Sequence, residues 1–237
     1  MTLPFIGVGV GPGDPELVTL KAARYIEQAD VISYIANDKG ESQAKHIARL
    51  ALQGAQGYEE IPVLMPMCED RSIANQAYDE AALKISAAIT AGKKVVFLCE
   101  GDPLFFGSFA YLLERLQPQF SCEVVPGISS VHAAASALQL PLTMLKESFA
   151  VVSGRHSVEK LEATLRQHES VVIMKAGRSR QRILDALKAT GRTQEANYLA
   201  YIGRDGQQIQ TDISALAGEA GPYFSLFVVT KAERDRT

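Results

Sequence analysis

The sequence predicts an α/β fold composed of two α/β domains, and three observations predict it. Short β-branched runs alternate with segments of helical periodicity through the first half of the chain, the pattern of strand-helix units feeding a largely parallel sheet. The alternation lapses at Gln139–Lys146, where Pro141 restricts the residue before it and discourages helix continuation. Beyond that break the final strands follow one another without long helices, which indicates a mixed sheet. The boundary is therefore placed at Pro141, with domains at 1–140 and 141–237.

Taken in order, the first domain reads as a strand over Pro4–Val10, a helix from Pro15 to about Gln28, a strand over Val31–Ile35 and a helix starting after Ser42. An alanine-rich helix over Ser72–Ala91 is ended by Gly92, since glycine accepts the left-handed turn that closes a helix. The apolar run Val95–Cys99 is a buried strand, followed by a helix over Ser108–Leu116 and a strand at Glu123–Val125. In the second domain come Ser148–Ser153, a helix from Ser157, Ser170–Met174, a helix from Arg180 to Thr190, and then Asn197–Ile202, Gln208–Gln210 and Tyr223–Thr230.

Composition narrows the function classes. With 237 residues, 47% of them hydrophobic, the chain can bury a sizeable core. A net charge of -3 offers no general attraction to nucleic acid or to an anionic bilayer, so an acidic ligand needs a local basic site. No run approaches the roughly 20 apolar residues of a membrane span, and the start MTLPFIGVGVGPGDP lacks a basic segment and a cleavage signal, so a cytosolic (cytoplasmic) protein is expected. Cys68, Cys99 and Cys122 form no CxxC pair and His46, His132, His156 and His168 add no metal-ligand spacing; free thiols and no metal site are expected.

The glycine-rich start, Gly7-Val8-Gly9-Val10-Gly11-Pro12-Gly13-Asp14, leaves a strand and enters a helix. It is not a dinucleotide fingerprint. Counted from Gly7 the third glycine of GxGxxG falls on Pro12, and counted from Gly9 it falls on Asp14. Asp30 precedes the second strand, whereas a ribose-binding acid belongs at that strand's end. A phosphate loop also fails, because the GK[ST] ending is missing. What remains is a strand exit whose absent side chains let a flat or bulky group approach the backbone, with Pro12 and Pro15 stiffening it; a plain tight turn is the alternative.

Two further loops follow buried strands: Cys99-Glu100-Gly101-Asp102-Pro103-Leu104-Phe105-Phe106-Gly107-Ser108, and Val124-Val125-Pro126-Gly127-Ile128-Ser129-Ser130. Loops at the carboxyl ends of strands bind the ligand in open α/β sheets, so the three can line one crevice. Together GVGVGPGDPEL, CEGDPLFFGS and VVPGISS resemble the tetrapyrrole (corrin/porphyrin) methylase family. VVIMKAGR at Val171–Arg178, YLAYIG at Tyr198–Gly203 and YFSLFVV at Tyr223–Val229 extend the likeness over the whole chain. MPM at Met65–Met67, the glutamate of CEGDPLFFGSF and IMK before AGR are similar to the branch acting at carbon 20 of precorrin-2, and NDKGES at Asn37–Ser42 is similar more loosely.

The resemblance implies a ligand cleft between two α/β domains, S-adenosyl-L-methionine as methyl donor, S-adenosyl-L-homocysteine as product, and a homodimer. It implies donor contacts from Pro12, Glu100, Gly101, Asp102, Phe105, Ser129 and Ser130. A carboxylate at Asp102 suits the donor's ammonium or ribose hydroxyls, or alternatively caps the next helix. Lys175 stands where a methionine is commoner in the family, so either Met174 or the Lys175 backbone lines the adenine pocket, or Met174 is simply core; Gly203 matches a backbone contact to the same ring, or is an ordinary strand-end turn.

The implied acceptor is a flat polycarboxylate tetrapyrrole, metal-free or cobalt-loaded, whose pocket calls for cations; Lys39, Arg155 and Arg178 are the substrate candidates, with His156 and Arg180 beside them. Asp14 and Glu100 are the carboxylates considered for removing a proton from the methylated carbon. Rival readings are a sister enzyme acting on another macrocycle carbon or on uroporphyrinogen III, a ribosomal RNA or diphthamide methyltransferase of the same fold, and a noncatalytic ligand-binding protein. The lack of a basic excess counts against RNA and nucleic acid generally.

Overall fold

A computed structural model describes residues 3–65 and 71–231. Pro66 and Met67 of the MPM motif, and Cys68, lie outside the described residues. The chain divides into two compact units, Met1–Ser130 and Val131–Thr237.

The first unit runs β1 (Phe5–Gly9), a 3-10 turn (Pro15–Leu17), α1 (Leu20–Glu27), β2 (Val31–Ala36), α2 (Gln43–Ile47), α3 (Arg49–Gly54), β3 (Glu59–Leu64), α4 (Arg71–Thr90), β4 (Val95–Cys99), α5 (Phe109–Leu116) and β5 (Cys122–Val125). Its sheet has the order β3-β2-β4-β1-β5, with every described pair parallel. Alternate side chains serve opposite faces, as strand geometry requires. Ile6, Val8, Val96 and Leu98 pack with Ala22, Ile26, Ala44 and Ile47 of α1 and α2, while Phe5, Val95 and Phe97 pack with Ile85 and Ile89 of α4 and with Phe109 and Leu112 of α5. Such two-sided burial is why these strands read as continuous apolar runs.

Two expectations are adjusted in this unit. The helix expected from Pro15 is split: Asp14 caps the 3-10 turn by accepting from the Glu16 amide at 2.9 Å, Val18 is extended, and Thr19 then caps α1 by accepting from the Ala22 amide at 3.1 Å. Strand β3 went unread, because only Val63 of it is fully buried and Pro62 interrupts the pattern. An edge position tolerates that proline, which has no amide to give an outer neighbour.

The second unit holds β6 (Phe149–Ser153), α7 (Val158–Gln167), β7 (Ser170–Met174), a 3-10 turn (Gly177–Ser179), α8 (Arg180–Ala189), a 3-10 turn (Thr193–Glu195), β8 (Ala196–Ala200), β9 (Gln208–Gln210) and β10 (Ser225–Thr230). The sheet order is β6-β7-β10-β8-β9, with β6 parallel to β7 and β10 antiparallel to both its neighbours, which makes the sheet mixed. Leu161 and Leu165 of α7 and Ile183 and Leu187 of α8 cover one face through Ile173, Tyr198 and Phe227. On the other face, Val131 and Ala134 of the helix Ser130–Leu138 (labelled α6) pack with Val172, Leu199, Leu226 and Val228. The division between units therefore falls one helix ahead of Pro141. Arg192, 8% exposed, ties α7 to β7 by donating to the carbonyls of Leu165, His168 and Glu169 at 2.7–2.8 Å. Glu169 in turn accepts from the Ser148 amide and hydroxyl, which holds its carboxyl down at about 2.

Candidate functional site

In the first unit the connection leaving β1 leads towards β2 and the one leaving β4 leads to β5, on the other side of β1. The chain thus departs in opposite directions from two adjacent strands, which is the switch point where open α/β sheets hold ligands. All three loops singled out in the sequence emerge there, from the carboxyl ends of the neighbours β4, β1 and β5.

The loops touch through backbone. Gly11 and Gly101 form an isolated antiparallel bridge, with Gly101 donating to the Gly11 carbonyl at 2.8 Å and Gly11 donating back at 3.3 Å. A Cβ at Gly9 would lie 2.5 Å from both the Gly101 oxygen and the Gly127 Cα, and one at Gly127 would lie 2.1 Å from the Gly101 oxygen. Real side chains do not fit at those distances, so Gly9 and Gly127 pack against the Gly101 carbonyl in a node where neither can be anything but glycine. Gly101 also adopts φ 65°, a region that favours glycine.

Asp102 holds the second and third loops together. One of its carboxylate oxygens accepts from the Leu104 amide at 2.9 Å and the other from the Gly127 amide at 3.1 Å. The structure therefore gives Asp102 a positioning role, and the cap it supplies is to its own loop; α5 begins later, at Phe109. Pro12 is buried beside Gly11 and Gly13, Ser129 is buried, Glu100 is half-buried, and Ser130 is the first residue of α6. Asp14 already spends one oxygen on the Glu16 amide. Phe105 is exposed at the rim of the second loop. The Cys99 thiol faces the core between β4 and α5, where burial pushes it up to about 11.

Lys39 lies in the loop after β2, at the same carboxyl edge, and is exposed. The Asn37 side chain orders that loop by accepting from the Lys39 amide at 3.0 Å and the Glu41 amide at 2.9 Å. Lys39 is brought to the edge of the sheet but not to the glycine node.

In the second unit the expected residues gather at the carboxyl ends of β6, β7 and β8. Gly154, after β6, donates to the Met174 carbonyl at 2.7 Å. Lys175 ends β7 at φ 57° and Tyr201 ends β8 at φ 54°, both left-handed and neither a glycine. Between them starts β10, where the Ser225 carbonyl accepts from Ala176 at 3.2 Å and the Phe224 carbonyl accepts from Tyr201 at 2.9 Å. Met174 is half-buried, with its side chain packed against the α6 face of the sheet. Gly203 adopts φ 69° and gives its amide to Gln207 at 2.7 Å. Arg155 and Arg178 are exposed, and Arg180 donates to the Tyr198 hydroxyl at 2.8 Å, with its guanidinium over that ring.

Sequence reasoning missed Gly9 and Gly127 as site residues, although both stand in the quoted motifs; a glycine on each side of a strand end was the available signal. It also missed Phe106, Tyr201 and Phe224, for which no turn-forming residue type gave warning. In the first unit the glycine-bearing loops leaving β4, β1 and β5 lie against one another, and the same loops carry Glu100, Asp102, Ser129, Ser130 and the exposed rings of Phe105 and Phe106. Among the described residues no helix is long and apolar enough to cross a membrane.

The family described as Tetrapyrrole (Corrin/Porphyrin) Methylases matches residues 4–217 of the chain. The cobalamin biosynthesis protein CobIJ of Mycobacterium bovis is 35% identical over 236 residues, covering 96% of this chain and 46% of that protein. The chain thus spans about half the length of that relative. A precorrin-2 C(20)-methyltransferase from a Sinorhizobium species is 35% identical over 232 residues, 94% of each chain. Among solved structures, uroporphyrin-III C-methyl transferase from Thermus thermophilus, complexed with S-adenyl homocysteine, aligns with a TM-score of 0.68 at 25% identity, covering 96% of this chain and 97% of that one.

Proposed function

Because the chain belongs to the tetrapyrrole (corrin/porphyrin) methylase family, we propose that it transfers a methyl group from S-adenosyl-L-methionine to carbon 20 of precorrin-2 or its cobalt-loaded form. The observation that carries this reading is the 35% identity, end to end in both chains, with a precorrin-2 C(20)-methyltransferase. The homodimeric, cytosolic state that the family resemblance implies goes with it.

The donor fits the residues present. A nucleoside linked to an amino acid needs close approach to backbone, and the loops that meet at Gly9, Gly101 and Gly127 carry no side chain at those three positions. Bound there, the donor supplies a sulfonium methyl already activated for displacement. Pro12, Glu100, Gly101, Asp102, Phe105, Ser129 and Ser130 hold it in this reading, and Asp102 also fixes the spacing of the second and third loops. Met174, Lys175 and Gly203 are the proposed adenine contacts.

The protein's main contribution is alignment. The bridging carbon of a reduced tetrapyrrole is electron-rich, and holding two reactants in line supplies about 7–11 kcal/mol of a barrier. As the new carbon-carbon bond forms and the methyl-sulfur bond breaks, carbon 20 retains a proton that must leave. Glu100, half-buried at the end of β4, and Asp14, which accepts from the Glu16 amide, are the carboxylates to test as its acceptor. Lys39, Arg155 and Arg178 are the proposed counter-charges for the substrate's carboxylates.

The test is anaerobic incubation of the purified protein with methyl-labelled S-adenosyl-L-methionine and each form of precorrin-2. The expected product carries one added methyl, placed on carbon 20 by NMR. A label on another carbon indicates a sister activity, and no transfer to either form overturns the proposal.

A further inference from the structure

The second loop exposes three apolar residues in succession: Leu104 at 56%, Phe105 at 36% and Phe106 at 43%. The backbone that carries them is tightly folded. Gly107 turns back so tightly that a Cβ there would lie 2.4 Å from the Pro103 oxygen and 2.8 Å from that of Asp102. Phe106 sits just before this fold-back at φ 57°, a conformation that disfavours any side chain and a bulky one most. The two rings stand edge to face, with centroids 5.2 Å apart and planes at 79°. The loop is not loose at its base, since Asp102 pins it to Leu104 and Gly127.

We propose that Phe106 is the aromatic wall on which the face of the tetrapyrrole rests, and that it sets macrocycle affinity separately from donor affinity. This rests on the methyltransferase reading above. A reduced tetrapyrrole is a broad, apolar-centred ring with carboxylates at its rim, so its faces seek aromatic surface while its edges seek cations and water. Two adjacent rings at right angles present differently oriented surfaces from one short loop. Phe105 is assigned to the donor, and Phe106, one residue further from the glycine node along the chain, faces the acceptor. The left-handed backbone at Phe106 then fixes where its ring stands.

The experiment compares wild type, Phe106→Gly and Phe106→Tyr as full-length protein. Macrocycle affinity is read from the absorbance change of anaerobic precorrin-2, donor affinity by calorimetry with S-adenosyl-L-methionine, and stability by thermal melting. Phe106→Gly is expected to weaken the macrocycle about tenfold, the loss of one ring contact, and to raise its KM in step. Donor affinity should stay within about twofold, and the Tm should not fall, because glycine relieves the left-handed backbone. Phe106→Tyr keeps the ring and should bind the macrocycle like wild type. Unchanged macrocycle affinity in Phe106→Gly overturns the inference while leaving the methyltransferase reading intact. Equal loss of both ligands with a lowered Tm also overturns it, since the ring is then structural. A wild type that neither binds nor methylates precorrin-2 overturns the functional reading itself.

Discussion

The two sheets bring loops together at their strand ends by opposite means. In the first unit, crowding is solved by deleting side chains: Gly9 and Gly127 press their backbone against each other and against the Gly101 carbonyl. In the second unit, Lys175 and Tyr201 keep their side chains and take left-handed conformations on either side of the start of β10. One solution tolerates no added atom. The other carries a conformational cost that a smaller residue would relieve. Three substitutions separate these two.

Gly127→Ala should have the largest effect. Its new methyl would lie 2.1 Å from the Gly101 oxygen, a backbone atom that cannot move without opening the node. Overpacking of this kind costs about 1–3 kcal/mol, and displacement of all three loops should abolish donor binding by calorimetry. Retained binding would show that the node is not where the donor sits. Asp102→Asn comes next. An amide can accept from one of the two backbone donors but must present its NH2 to the other, so one loop link is lost at about 1–2 kcal/mol, read by denaturant melts. Donor affinity should weaken about tenfold in step. A variant as stable and tight-binding as the parent would remove Asp102 from both roles. Lys175→Gly should be smallest and opposite in sign, raising stability by about 1 kcal/mol as the left-handed cost disappears. A fall in stability would mean that the lysine side chain outweighs the strain.

The strands of the first sheet were legible because burial on both faces leaves unbroken apolar runs such as Val95–Cys99. β3 was not, since its register exposes Glu59, Glu60 and Leu64 and leaves only Val63 inside. The three glycine loops were legible from their strand-to-helix context, and the structure places them at the carboxyl ends of neighbouring strands. The half of Asp102's role that is local, its bond to Leu104 two residues on, belongs to a familiar turn chemistry. Its bond to Gly127 joins separate loops and depends on the strand order β4-β1-β5, which no local pattern encodes. The left-handed Lys175 and Tyr201 were hidden for a different reason: tertiary hydrogen bonds to the β10 start impose a conformation their residue types do not advertise.

The placement of β10 also sets an order of assembly. The first sheet uses strands that are all complete by Val125, so it can close while later residues are still being made. The second cannot, because the strand at its centre, Ser225–Thr230, is synthesised after both of the neighbours it joins. Until Thr230 has left the ribosome, β7 and β8 each carry an open edge of unpaired peptide groups, a state prone to wrong partners. Docking of β10 therefore completes the pairing of β7 and β8 in one step.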